Sequence, residues 1–408
     1  IVKPNLKSGI FAYAKEGFGE YIGFNAAWGY WISAILSQVS FATLLFAALG
    51  QFMPMFGDGN NLASVIGASL LIWAFTILIM GGVQEAVTIN AVIVIAKIVP
   101  IIAFIIFIIF LGAFDFDIFL DNFLGQDTGL SLGKQVLETT YTTVWIFTGI
   151  EGAVVISGRA KNTAIAGKAT ELSFLCLLVL YVLISILSMG VMPRSELAAL
   201  GNPAMATLLA SVVGPWGATL INIGVIISIA GAMFSYTIVT ADSAFAPALH
   251  GCFPKFLTGE NRKKAPVSAL ILTAAVVQVL LVVVYFQSST YQAMYTLATS
   301  AIMIPFVLSA LYCLKVTIHD KRLGQNNVTF KVWLISILGT VYGFWLLFAT
   351  GISNIVISAL MFAPGFFFYA WSRLQHHQKI FDSMADIITF VVIAAGFIFS
   401  VFMGGSLA

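Results

Sequence analysis

Continuous apolar runs of about twenty residues recur along this chain, and that block length constrains its fold more than any other feature. Coiled at 1.5 Å per residue, such a run crosses roughly 30 Å of hydrocarbon. The runs are Ala26–Met53, Leu62–Met80, Ile89–Phe110, Leu137–Ile156, Leu172–Met192, Ala218–Ala246, Val267–Phe286, Tyr295–Leu314, Val332–Phe348, Ile352–Trp371 and Ile388–Met403. They are unbroken rather than alternating, so they read as helices and not as barrel strands. The expected class is an all-α polytopic membrane protein with about eleven transmembrane helices. Only 9% of the 408 residues are charged, too few to clothe a soluble domain of this size.

Charge in the connections orients the map. With residue 1 in the cytoplasm, sixteen of the nineteen Lys and Arg fall in cytoplasmic stretches. External loops hold only Lys134 and Arg194, and Lys97 lies within a span. This is the positive-inside distribution. The external loop after the third span instead carries Asp115, Asp117, Asp121 and Asp127.

Several function classes drop out. No basic patch is interleaved with aromatics, so no nucleic acid partner is expected. Cys176, Cys252 and Cys313 are isolated, and His250, His319, His376 and His377 lack a partner at ligand spacing, so no metal site is expected. No nucleophile–base pair or nucleotide motif is present, which points to neither an enzyme nor a cofactor.

Ionisable groups inside hydrocarbon are costly and mark candidate function. Here they are Lys97, Glu151 and Asp242, with Glu138 nearer a span end. Lys97 reads either as a buried ammonium replacing a coupling cation or as a structural partner for neighbouring carbonyls. Glu151 sits between Gly149 and Gly152, preceded by Trp145. Glycines there permit local unwinding, which turns the backbone of Gly149 and Ile150 toward a ligand, and the indole can cover it. The alternative is close packing through small residues. Tyr30, Ala34 and Gln38 recur every four residues on one helix face. Phe234, Tyr236, Thr240, Asp242 and Ser243 form a polar line on the sixth span.

The segment Ile150–Asn162 (IEGAVVISGRAKN) resembles the sixth-helix signature of the amino acid–polyamine–organocation superfamily. It is most similar to basic amino acid/polyamine antiporters, notably arginine/ornithine exchangers. Tyr13–Gly19, Phe253–Phe256 and the Lys97 helix fit the same pattern. The resemblance implies a five-plus-five inverted repeat with broken first and sixth helices at the substrate site. Residues 1–25 then precede the family's third helix, so the chain is expected to be N-terminally truncated, without the first two family helices. The implied segments are 1–130 for the rest of the first repeat, 131–317 for the second, and 318–408 for peripheral helices.

The same resemblance implies residue roles. Trp145 caps the substrate, Gln38 and Ala34 line its side chain, and Tyr236 offers a ring to a cation. Ser300 is a further contact, Tyr30 and Glu151 form an inner gate, and Lys97 stands in for a sodium ion. The implied activity is exchange of cationic amino acids, arginine for ornithine, in a bacterial inner membrane, by a homodimer. A proton-coupled permease and a non-transporting sensing protein are the alternatives.

Overall fold

The protein is seen as a computed structural model that describes residues 10–82, 87–125, 128–150, 163–287, 290–322 and 329–403. All regular elements among them are helices. A short α1 (Ile10–Phe18) precedes α2 (Glu20–Gly50), α3 (Leu62–Met80) and α4 (Val87–Phe110). Then come α5 (Phe116–Leu124), α6 (Leu132–Phe147), α7 (Thr163–Met189), α8 (Arg194–Ala199), α9 (Ala204–Val213) and α10 (Pro215–Leu249). The remainder comprises α11 (Val267–Gln287), α12 (Tyr291–Arg322), α13 (Phe330–Phe362), α14 (Gly365–Gln375) and α15 (Met384–Met403).

Nine helices among the described residues are long and apolar enough to cross a membrane. Three of the eleven expected spans differ. The fourth is α6, whose helix stops at Phe147. The ninth and tenth are not separated by a loop, because α13 continues through Gly351 to Phe362. Glycine is a turn signal in water, but membrane helices accept it. The chain breaks instead at Ala363–Pro364, where the proline begins α14.

The core is built around α2. Its most apolar window is 78% buried, against 6% for that of Gly167–Met189. α12 and α10 pack along it. Indole donors tie it sideways: Trp28 Nε1 donates to the Met361 carbonyl at 2.9 Å and Trp31 Nε1 to Thr273 Oγ1 at 3.1 Å. A satellite core of Phe104, Ile108, Leu187, Leu209 and Ile221 joins α4, α7, α9 and α10. Outward faces carry large apolar side chains, Phe110 and Phe402 among the most exposed, which suits contact with lipid tails.

Contacts agree with the charge-derived sidedness. Residues assigned to the cytoplasm meet one another. Lys15 Nζ reaches Glu20 at 3.0 Å, the His250 carbonyl at 3.4 Å and Cys252 Sγ at 3.7 Å. Arg373, only 4% exposed, binds Asp382, Gln378 Oε1 and the Lys379 carbonyl, with Glu20 at 4.0 Å. On the other side, Asn122 accepts from the Arg194 amide at 2.8 Å and donates to the Met192 carbonyl at 3.0 Å.

The turn from α1 into α2 is made by Gly19 at φ 111°, a conformation any side chain would strain. Asp386, at the start of α15, closes over it. Its Oδ1 accepts from the Tyr21 amide at 3.2 Å, and its Oδ2 from the Asp382 and Ser383 amides at 3.3 and 3.1 Å. Ser383 Oγ in turn accepts from the Asp386 amide at 3.2 Å. This reciprocal cap fixes the last helix to the first turn of α2.

Burial pushes the Cys252 thiol up to about 11, with the Lys15 ammonium pulling the other way. The thiol is therefore uncharged at pH 8, and only the thiolate is nucleophilic. Alkylation of Cys252 at pH 8 is expected to be at least about a hundredfold slower than that of an exposed thiol, and to speed up as the pH rises toward 11. Peptide mass spectrometry after timed N-ethylmaleimide treatment checks this. Ordinary reactivity at pH 8 would mean that the Lys15–Cys252 contact opens in solution.

Candidate functional site

The site grows from the end of α6. Thr148 turns extended, at φ −65° and ψ 134°, and its amide still bonds the Val144 and Trp145 carbonyls. Gly149 follows at φ 111°, and a Cβ built on it would meet nothing within 4 Å among the described residues. The residue is thus in a left-handed conformation, where alanine would be strained by its backbone alone. Helix geometry ends in mid-span, two residues after Trp145. Glu151, the carboxylate expected next, lies outside the described residues.

Trp145 is half-buried and held by an aromatic wall. Its Nε1 donates to the Tyr291 hydroxyl at 3.0 Å. Its ring stacks on Tyr295, with centroids 5.5 Å apart and planes at 19°. Phe41 approaches it at 5.8 Å and meets Tyr236 edge-on at 5.4 Å. Four helices, α2, α6, α10 and α12, therefore each place at least one ring in one continuous wall. Ring faces carry negative quadrupole charge and attract cations.

Gln38 lies one turn from Phe41 and is 3% exposed. Its Nε2 donates to Thr237 Oγ1 at 2.9 Å and to the Met233 carbonyl at 3.2 Å. Its Oε1 is buried without a hydrogen-bond partner among the described residues. An unsatisfied buried acceptor is costly and calls for a donor. Ala34, 2% exposed, follows on the same face toward the cytoplasmic end. Tyr30 is also buried and packs with Ile302 of α12 and Val239 of α10.

Two expected residues stand differently. Ser300 is buried, but its hydroxyl donates to the Thr296 carbonyl at 2.9 Å, within its own helix. Lys97 is exposed rather than buried. The face of α4 that meets α10 is made by Ile93, Ala96 and Pro100, which close on Gly231 and Gly224. Lys97 falls to the side of that stripe. Asp242 is part-buried on α10.

Sequence reasoning missed Phe41, Thr237, Tyr291 and Tyr295. One signal was available: Phe41 continues the face of Tyr30, Ala34 and Gln38 at helical spacing. The two tyrosines are also one turn apart, but nothing in the sequence links them to Trp145. Among the described residues, no three His, Cys, Asp or Glu side chains are grouped to hold a metal ion.

The comparisons with known proteins cover nearly the whole chain. The amino acid permease family model matches residues 3–372. The arginine/ornithine antiporter of Pseudomonas aeruginosa is 43% identical over 401 residues, 96% of this chain and 83% of the relative. The putative arginine/ornithine antiporter of Escherichia coli K12 is 37% identical over 97% of this chain and 84% of its own length. The arginine/agmatine antiporter of Chlamydia trachomatis serovar D is 35% identical over 99% of this chain and 84% of its own length.

Proposed function

This chain belongs to the amino acid permease family, and from that premise we propose that it exchanges cationic amino acids across a bacterial inner membrane. The preferred pair is arginine inward and ornithine outward. The observation that carries this reading is the wall of Trp145, Phe41 and Tyr236, one turn from a Gln38 oxygen that has no partner among the described residues. Rings and an amide acceptor suit a guanidinium or ammonium group, which offers donors only. The relatives named for arginine, ornithine and agmatine favour the same chemistry.

In this reading Trp145 covers the bound amino acid. The backbone at Gly149 and Ile150 faces its polar end. Gln38 accepts from the side-chain cation, Ala34 leaves room for it, and Tyr236 and Ser300 complete the lining. Tyr30 and Glu151 form the inner gate. Lys97 supplies the fixed positive charge that a coupling ion would otherwise bring. No bond is made or broken. The carrier reorients only when loaded, so the two substrate gradients drive exchange.

Counterflow in proteoliposomes tests this. Labelled arginine is expected to enter vesicles loaded with ornithine and not to enter empty ones. Accumulation in empty vesicles under a pH gradient alone would replace exchange with a proton-coupled permease.

A milder test is placed on the wall itself. Tyr236→Ala is expected to weaken arginine binding by about 0.5–2 kcal/mol, the range for a ring facing a cation. Isothermal calorimetry measures it, and unaltered affinity would put the side-chain pocket elsewhere.

A further inference from the structure

Tyr291 is held from both ends. Its backbone carbonyl accepts from Ser40 Oγ of α2 at 3.3 Å, and its hydroxyl accepts from the Trp145 indole of α6 at 3.0 Å. One turn on, Tyr295 stacks on the same indole, and its hydroxyl lies 3.2 Å from Thr142 Oγ1, one turn before Trp145. Two rungs thus join α6 to the first turns of α12. The adjoining residue Gln292 pairs with Asn202 of the external loop between α8 and α9 at 3.2 Å. The rungs therefore lie on the external side of the break at Gly149.

We propose that Tyr291 is the positioning residue for Trp145 and that, with Tyr295, it latches α6 to α12 and closes the external path to the site. The site in question is the one assigned above, and the inference rests on that reading. Trp145 has a half-buried ring at the end of a helix whose next residues leave helical geometry. Nothing in α6 alone fixes its side-chain rotamer. The hydroxyl of Tyr291 does so, because an indole N–H has one donor and that donor is used. Release of the rung frees the indole to swing and frees α6 to part from α12. Neither tyrosine needs to touch substrate, which distinguishes their role from that of Trp145.

The test reads access directly, without relying on transport. Ala34 lies seven residues nearer the cytoplasmic end of α2 than Phe41, roughly 10 Å deeper than the wall. In the full chain, with Cys176, Cys252 and Cys313 replaced by serine, Ala34→Cys is exposed to a membrane-impermeant thiosulfonate added outside right-side-out vesicles. Tyr291→Phe keeps the ring and removes the hydroxyl. It is expected to speed labelling about fivefold, the effect of losing one net hydrogen bond on a closed–open equilibrium. Trp145→Phe should speed it similarly, and adding Tyr291→Phe to Trp145→Phe should add nothing.

The exchange KM for external arginine in the Tyr291→Phe protein is measured alongside. Faster labelling with no arginine–ornithine exchange in the parent would sink the exchanger reading and leave the latch standing. Exchange in the parent with unchanged labelling in Tyr291→Phe would overturn the latch. So would multiplicative effects of the two substitutions. If Tyr291→Phe fails to accumulate, Trp145→Phe carries the same labelling comparison, and an unchanged rate there overturns the latch equally.

Discussion

Trp145→Leu is expected to weaken arginine binding by about 2 kcal/mol, roughly thirtyfold, while the protein still folds. The indole is only part-buried, and its neighbours keep other ring contacts, Phe41 with Tyr236 and Tyr295 with Tyr291. Leucine preserves apolar volume at that point of α6 but has no quadrupole to offer a cation and no N–H for Tyr291. The loss therefore falls on the ligand more than on the fold. Calorimetric titration with arginine, paired with a thermal unfolding curve, separates the two. Equal affinity in the variant and parent would remove the indole from the site. A large drop in unfolding temperature with proportionate loss of binding would make it a packing residue.

The other large effect is expected far from the wall. Asp386→Ala should destabilise the protein by about 3 kcal/mol. The carboxylate is fully buried, and three backbone amides, those of Tyr21, Asp382 and Ser383, donate to it. Alanine removes the acceptor for all three. Tyr21, also fully buried, packs against Tyr369, Phe381 and Phe366, so no water easily replaces the carboxylate there. Asp386→Asn keeps one oxygen acceptor and should fall between. Thermal unfolding in a fixed detergent measures both. Parent-like stability of the alanine variant would show that α15 docks by lipid-facing contacts alone.

Much of the architecture was legible in the sequence because the bilayer imposes a length and a charge rule on it. The span limits of α3 and α11 and the sidedness of the Lys and Arg residues follow from those rules. The interruption after Trp145 was legible too, because two glycines beside a carboxylate have few uses in a helix that must satisfy its own backbone. The merged α13 was not, since a Thr350-Gly351 pair that would end a helix in water need not end one in lipid. Lys97 shows a related limit. Depth along a helix can be counted from residue numbers, but the facing direction depends on which stripe meets a neighbour, here Ile93, Ala96 and Pro100 against α10.

The wall itself was half legible. Trp145 and Tyr236 were singled out within their spans, and the resemblance supplied their roles. Phe41, Tyr291 and Tyr295 were not, because an aromatic side chain in a membrane helix most often packs against another one. Only tertiary folding reveals that residues 41, 145, 236, 291 and 295 share a surface, since the contacts join helices far apart in the chain. Thr237 is similar: its hydroxyl looks like interhelical glue until Gln38 is seen to use it.

The burial of α2 bears on how the protein is made. Its best membrane window has a mean hydropathy of 1.9, against 3.1 for Ile93–Phe110, and its buried polar residues include Asn25, Ser37, Gln38 and Thr43. Such a segment is apolar enough to enter the bilayer, but its polar side chains gain less from lipid than an all-apolar helix does. The helices that shelter it, α10 and α12, emerge from the ribosome more than 150 residues later. During synthesis it must wait, loosely inserted or held at the translocon, for partners encoded far downstream. Assembly of the first long helix is therefore among the last events to finish, and a defect in α12 would strand it.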